Sequence, residues 1–252
     1  AEEGCPIAVH IAESEAEHRL VRDGAGPLAE RLARRGIPTQ ARAASPVALL
    51  ERTGILRLRP LLIHAVRVDD DDIRLVAGAG APVAHCPVAN ARLGNGIAPL
   101  AKLLDAGVTV ALGTDSVAAN NRVDLLEEAR CAQILQRARA GSATLLPPDR
   151  LLRLATLDGA RALGLDGTIG SLDIGKDADL CAVTLDRPHA RPVHDPLAAL
   201  MLAVRGSDVV LATVRGRILY QCGRFTAGDP AGTRVALDAI AERIRAARDT
   251  GR

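Results

Sequence analysis

Tryptophan is absent from the 252 residues, and the chain has a single tyrosine, Tyr220, and a single phenylalanine, Phe225. Pockets for flat heterocycles are usually lined by aromatic rings, so nothing before Tyr220 except histidine offers such a surface. Lysine is nearly missing as well: apart from Lys102 and Lys176 the basic residues are all arginine. The Ala/Arg/Leu richness reads as a compositional bias without functional meaning. No block of one charge sign occurs; 32 basic and 30 acidic residues interleave to a net charge of +2, which argues against nucleic acid or a membrane surface as partner. No apolar run approaches the roughly 18 residues of a membrane span, and no membrane role is expected. The five cysteines include no C-x-x-C pair, and an odd, dispersed set fits reduced thiols of a cytoplasmic protein, not a disulfide framework. What remains is ordinary for a globular chain, 48% hydrophobic and 25% charged, enough to bury a sizeable core.

One pattern occurs three times. Val108–Ser116 reads VTVALGTDS: a β-branched apolar run breaks off at Gly113 and delivers Asp115 where a parallel strand would end. Pro6–Glu13, PIAVHIAE, and Pro60–Val66, PLLIHAV, do the same with His10 and His64. Each short Val/Ile/Leu-rich run leads through a polar residue into a helix-like stretch, which is the signature of a buried strand feeding a βα loop. In a (β/α)8 barrel, chemistry sits on the face formed by those strand ends. Taken singly, each polar residue reads as a satisfied core histidine or a capping aspartate.

The rest of the chain continues this rhythm. The spacing predicts a helix over 14–32 interrupted at Asp23–Pro27, and a short helix opened by Ser45-Pro46 and ending near Gly54. Asp69–Asp72 places four carboxylates at the positive end of another helix. The glycine and terminal glutamate of a Ca²⁺ loop are missing there. Pro82–Cys86 reads as a third strand, Asn90–Gly96 as a polar loop, and Ile97–Ala106 as a helix closed by Gly107. Arg122–Arg139 and Pro147–Leu163 read as further helices, and the alternation implies parallel pairing with right-handed crossovers. From Gly167 onward short strands and glycine turns take over. Val235–Arg248 closes the chain as an amphipathic helix, with Val235, Ile240 and Ile244 on its apolar side.

Four segments in this order, HIAESEAE, LLIHAVRVDDDDI, VAHCPVANARLGNGIAPL and VALGTDS, resemble strands five to eight of the amidohydrolase superfamily. The branch they resemble is the metal-dependent deaminase and chlorohydrolase one, with its adenosine-type, guanine and triazine deaminases. IGSLDIGKDADLCAV, residues 169–183, is similar to the return of the chain into the small β domain of that branch. The resemblance implies an α/β fold: the C-terminal half of a TIM-type barrel, strands 5–8, over residues 1–166, then a composite β-domain segment with a terminal helix over 167–252. Length agrees, because a complete barrel takes about 250 residues and, at roughly 30 residues per strand–helix unit, Cys5–Arg139 holds about four units.

The resemblance further implies that His10 and Asp115 are metal ligands for Zn²⁺ or Fe²⁺, one ion per complete site. It makes Asp115 also the acceptor of the water proton, and His64 the residue that orients the hydroxide and stabilises developing negative charge. Glu13, three residues after His10, would protonate a ring nitrogen; the alternative is a glutamate that merely starts the following helix. The family's first strand carries a His-x-His pair, and no two of the six histidines here stand one residue apart. The family's frequent serines are Ala89 and Ala119 in this chain, while Asn90 and Asn120 remain available to set loops or meet substrate. His85 reads as structural, and His18, His189 and His194 as solvated.

Two readings stand side by side. In one, the chain is part of a metal-dependent hydrolase acting on non-peptide carbon–nitrogen bonds, deaminating an aminopurine nucleoside or related N-heterocycle; a triazine-type chlorohydrolase is the variant of it. In the other, the chain is a non-catalytic half-barrel that self-associates, because a half-barrel leaves edge strands unpaired.

Overall fold

Four parallel strands carry the larger part of this chain, whose computed structural model describes residues 5–250. They are β1 (Ala8–Ile11), β2 (Leu61–His64), β3 (Val83–His85) and β4 (Val110–Leu112), hydrogen-bonded in that order. Burial alternates along the strands: Leu62 and His64 of β2, and Val83 and His85 of β3, are buried, whereas Leu61, Ile63 and Ala84 between them are half-buried. Leu62, Val83, Leu100, Leu103, Val110, Leu151 and Leu154 form the centre of the core. Each such side chain contributes about 1.5–3 kcal/mol on full burial.

Local signals explain the helix ends. Ser14 caps the Glu15–Asp23 helix by accepting the Glu17 N–H at 3.2 Å, so Glu13 lies outside that helix. Gly24 ends it at φ 65°, and a Cβ there would meet the Gln40 backbone at 2.5 Å, so both conformation and close approach require glycine. The acid run behaves as the positive-end reading expects: Asp69 and Asp72 make a reciprocal capping box at the start of Asp70–Ala79. Asp69→Ala should therefore cost about 1 kcal/mol of stability, read as a lower midpoint in urea unfolding at unchanged slope.

Two expectations need correction. Pro147–Leu163 is not one helix but two, Pro148–Ala155 and Leu157–Ala162, broken at Thr156 with φ −128° and ψ −92°. Thr156 bonds its hydroxyl to Leu152 O, one turn back, a local alternative that bends helices. Within the expected 90–96 loop, residues up to Arg92 belong to a short helix, Pro87–Arg92, which Pro87 opens at a position where no N–H is needed.

The two outer strands of the parallel sheet differ. All three residues of β4 are buried, and the helices Pro148–Ala155 and Leu157–Ala162 pack against it. In β1, by contrast, Ala8 and His10 are exposed. Residues up to Lys176, with Leu185–Ser207, form one compact unit. Asp177–Thr184 and the chain from Asp208 onward form a second, an antiparallel sheet of β5 (Leu180–Val183), β6 (Val209–Val214), β7 (Arg217–Gln221) and β8 (Arg224–Phe225). The terminal helix runs over Pro230–Thr250, with Val235, Ile240 and Ile244 exposed. No helix among the described residues is long and apolar enough to cross a membrane.

Candidate metal centre

The strand ends deliver their polar residues through unusual backbone turns. Ala12 after β1 has φ 49°, His64 at the end of β2 has φ 78° and Ala65 46°, and Asp115 after β4 has φ 57°. None of these is glycine, and each such residue costs about 1–3 kcal/mol unless its surroundings impose it, a cost that clusters at functional sites. The turns converge His10, His64 and Asp115: one ligand atom from each lies within 4.8 Å of the others. His10 Nε2 is 3.9 Å from Asp115 Oδ1, and His64 Nε2 is 3.9 Å from Asp115 Oδ2. Glu13 joins them, its Oε1 3.8 Å from His64 Nε2.

Burial and hydrogen bonding set the chemistry of each group. His64 is fully buried, and its Nδ1 lies 2.9 Å from Asn90 Oδ1. An acceptor there requires the proton on Nδ1, which leaves Nε2 with its lone pair facing Asp115 and Glu13. Among the described residues that Nε2 has no hydrogen-bond partner. An unpartnered buried lone pair beside a carboxylate and a second imidazole fits a divalent cation with N and O ligands. In a tetrahedral shell with bonds near 2.0–2.1 Å, ligand atoms stand about 3.4 Å apart, against 3.9 Å from Asp115 to each histidine here. His10, with its side chain 60% exposed, has the freedom to approach Asp115.

The surrounding residues hold the loops. Glu17 accepts the backbone N–H groups of Ala12 and Glu13 at 2.9 and 2.8 Å, and Asn95 donates to Glu13 Oε1 at 2.9 Å. Asp115 Oδ1 accepts the Ser116 N–H at 2.7 Å. His85 is buried with neither ring nitrogen hydrogen-bonded among the described residues, and burial with the nearby His64 pushes its pKa down to about 4. Burial, with Glu128 and Asp115 nearby, pushes the Cys86 thiol up to about 12, which removes it as a nucleophile near neutral pH. Ala89 is fully buried and Ala119 half-buried. His18 departs from its solvated reading: it is half-buried, with Nδ1 shielded and without a hydrogen-bond partner among the described residues.

All four residues singled out from the sequence, His10, Glu13, His64 and Asp115, thus lie at one rim. Glu17, Asn95 and Glu128 were not singled out. For Glu17 a signal existed, the S-x-x-E spacing from Ser14; Asn95 and Glu128 reach the site from loops and helices distant in sequence.

The model of the amidohydrolase family matches residues 1–219. A 5-methylthioadenosine/S-adenosylhomocysteine deaminase of Moorella thermoacetica is 40% identical over 220 residues, 87% of this chain and 47% of that protein. The crystal structure of an adenosine deaminase from Xanthomonas campestris, with bound zinc, superposes with a TM-score of 0.84 at 33% identity, covering 97% of this chain and 52% of the other. Atrazine chlorohydrolase from Arthrobacter aurescens TC1, complexed with zinc, superposes with a TM-score of 0.71 at 32% identity over 78% of this chain and 43% of that one. The chain therefore spans about half the length of the relatives it matches. These neighbours carry an α/β fold of the TIM-barrel type, to which the parallel sheet and its helices correspond.

Proposed function

The chain belongs to the amidohydrolase family, and from that premise we propose that it forms part of a metal-dependent hydrolase that deaminates an aminopurine nucleoside, its β1 to β4 serving as strands five to eight of the barrel. The observation that carries this reading is the convergence of His10, His64 and Asp115 within 4.8 Å, with Glu13 beside them. His10 and Asp115 would hold the ion, Zn²⁺ or Fe²⁺, one per complete site, while His64 Nε2 faces Asp115. When bound, such an ion brings the pKa of water towards neutrality and so supplies hydroxide.

The chain's own groups divide the remaining work. Asp115 takes the proton of the attacking water and delivers it to the departing amine. His64, its Nδ1 proton committed to Asn90, keeps Nε2 directed at the attacking oxygen. Asn95 engages Oε1 of Glu13, leaving Oε2 to carry a proton to the ring nitrogen, which makes the adjacent carbon electrophilic. A carbon–oxygen bond forms, the carbon–nitrogen bond breaks, and ammonia leaves. With chloride as leaving group the same arrangement serves a chlorohydrolase, the variant favoured by the likeness to the atrazine enzyme.

No His-x-His pair occurs in the chain, so we expect no measurable ammonia release from adenosine or 5-methylthioadenosine with the chain and Zn²⁺ alone. Co-expression with the N-terminal half of the Moorella relative should restore it, and Asp115→Asn should abolish the restored activity. A complemented, metal-loaded assembly that releases no ammonia from any aminopurine nucleoside would overturn the reading. The exposed β1 edge favours a second role, association with another chain or copy; sedimentation showing a monomer at micromolar concentration would exclude self-association.

A further inference from the structure

Glu128 is an unusual residue for its surroundings: a carboxylate in the Leu125–Ala140 helix with 1% exposure. Carboxylates are rarely so buried unless their oxygens are engaged, and here both are. Oε2 accepts the N–H of Val88 at 3.1 Å, and Oε1 accepts from Asn120 Nδ2. Each of these donors leads directly to the candidate centre. Asn120 Nδ2 spends its other proton on Thr114 O at 2.6 Å, the carbonyl immediately before Asp115. Val88 stands in the Pro87–Arg92 helix two positions before Asn90, the residue that accepts the proton of His64 Nδ1.

One carboxylate thus ties together the loop after β3 and the loop after β4, which are otherwise separate pieces of chain. The tie is also what the strained turn at Asp115 needs: a residue at φ 57° returns to a relaxed conformation unless hydrogen bonds hold its flanks. We propose that Glu128 is the positioning residue of the centre, fixing the spacing between Asp115 and the Asn90–His64 pair. It touches neither substrate nor ion in this arrangement; it acts through Asn120 and through the helix of Val88. The inference rests on the reading of the centre given above.

The test uses two variants and a control in the purified chain. Glu128→Gln keeps the shape but sets an amide NH₂ against one of two donors. Asn120→Ala cuts only the arm to Thr114. Gln133→Met, on the same helix, removes a buried hydrogen bond to Leu146 O that has no link to the centre. Two signals are read without metal: the imidazole ¹⁵N resonances of His64, which report its tautomer, and amide exchange at Ser116, whose N–H bonds Asp115. Zinc affinity is then read by competition with a chelator. Glu128→Gln should disturb both signals and lower zinc affinity by about tenfold or more, the usual effect of losing a partner behind the ligands. Asn120→Ala should disturb Ser116 and spare His64. Gln133→Met should lower thermal stability and leave both signals and the affinity unchanged.

If Glu128→Gln leaves His64 and Ser116 as they are, or if Gln133→Met weakens zinc binding in proportion to its loss of stability, Glu128 is only a core residue and the proposal fails. A wild-type chain that takes up no zinc would overturn the metal reading instead, while the two metal-free signals still decide the role of Glu128.

Discussion

Asp115→Ala should lower the zinc affinity of the chain about 100-fold while leaving its fold intact. Four-ligand structural zinc sites bind with about 10–16 kcal/mol, roughly 3 kcal/mol for each ligand, and about 1.4 kcal/mol corresponds to a factor of ten. Asp115 is the only carboxylate among the three converging residues, so its loss also removes the charge that offsets the cation. Its folding contribution is small by comparison, because the one hydrogen bond of its carboxylate among the described residues is to the neighbouring Ser116 N–H, and alanine leaves the backbone bonds around the turn in place. Isothermal titration with Zn²⁺, paired with a thermal melt, separates the two effects. His10→Ala should weaken zinc binding to a similar degree with no loss of stability, since that side chain is 60% exposed. His64→Ala must lose both, because the ring is fully buried and hydrogen-bonded to Asn90. Equal zinc affinity in Asp115→Ala and the wild-type chain would remove His10, His64 and Asp115 as a metal centre.

Much of this geometry is legible in the sequence because strand ends are local. A β-branched run that stops at Gly113 fixes where Asp115 leaves the sheet, and the runs before His10 and His64 do the same. Parallel pairing then brings the three ends to one rim with no long-range information beyond strand order. What sequence cannot supply is the layer behind the ligands. Glu128 meets Val88 across 40 positions, and Asn95 meets Glu13 across 82. Such contacts depend on how helices pack over the strand ends, and no local periodicity encodes them. The break at Thr156 is a case of a different kind: the apolar spacing continues through it, and only the hydroxyl's bond to Leu152 O and the packing on β4 reveal two helices. The two edges of the sheet look alike as sequence, PIAVHIA and VTVALG, yet only β1 is exposed, because the helices that cover β4 come from residues 148–162, beyond the strand–helix units themselves.

Acid should destabilise this chain through His85 before it protonates most carboxylates. Both ring nitrogens of His85 are buried without hydrogen-bond partners among the described residues, so no protein acceptor there stabilises the imidazolium. Burial first, and the neighbouring His64 second, hold its folded-state pKa down to about 4 from an ordinary value of 6.5. Between those two values the unfolded chain binds a proton that the folded chain refuses. The stability due to a neutral His85 is therefore fully present above about pH 6.5 and falls as the pH drops towards 4. At 1.36 kcal/mol per pKa unit the loss over that window is about 3 kcal/mol, a large share of the 5–15 kcal/mol of a typical domain. Asp72 and Glu128 run the other way: burial raises their pKa values, so their neutral forms favour the folded state in acid. They are common to wild type and variant, so comparing urea unfolding of the wild-type chain with His85→Leu at pH 7, 5 and 4 isolates the histidine. The wild type should lose about 3 kcal/mol more than the variant across this range. Parallel losses in the two would mean that the folded chain protonates His85 as readily as the unfolded one, and would overturn this assignment. A steeper loss in the wild type would place the first acid-sensitive point of the fold on β3, beside His64, so that metal binding and folding weaken together as the pH falls.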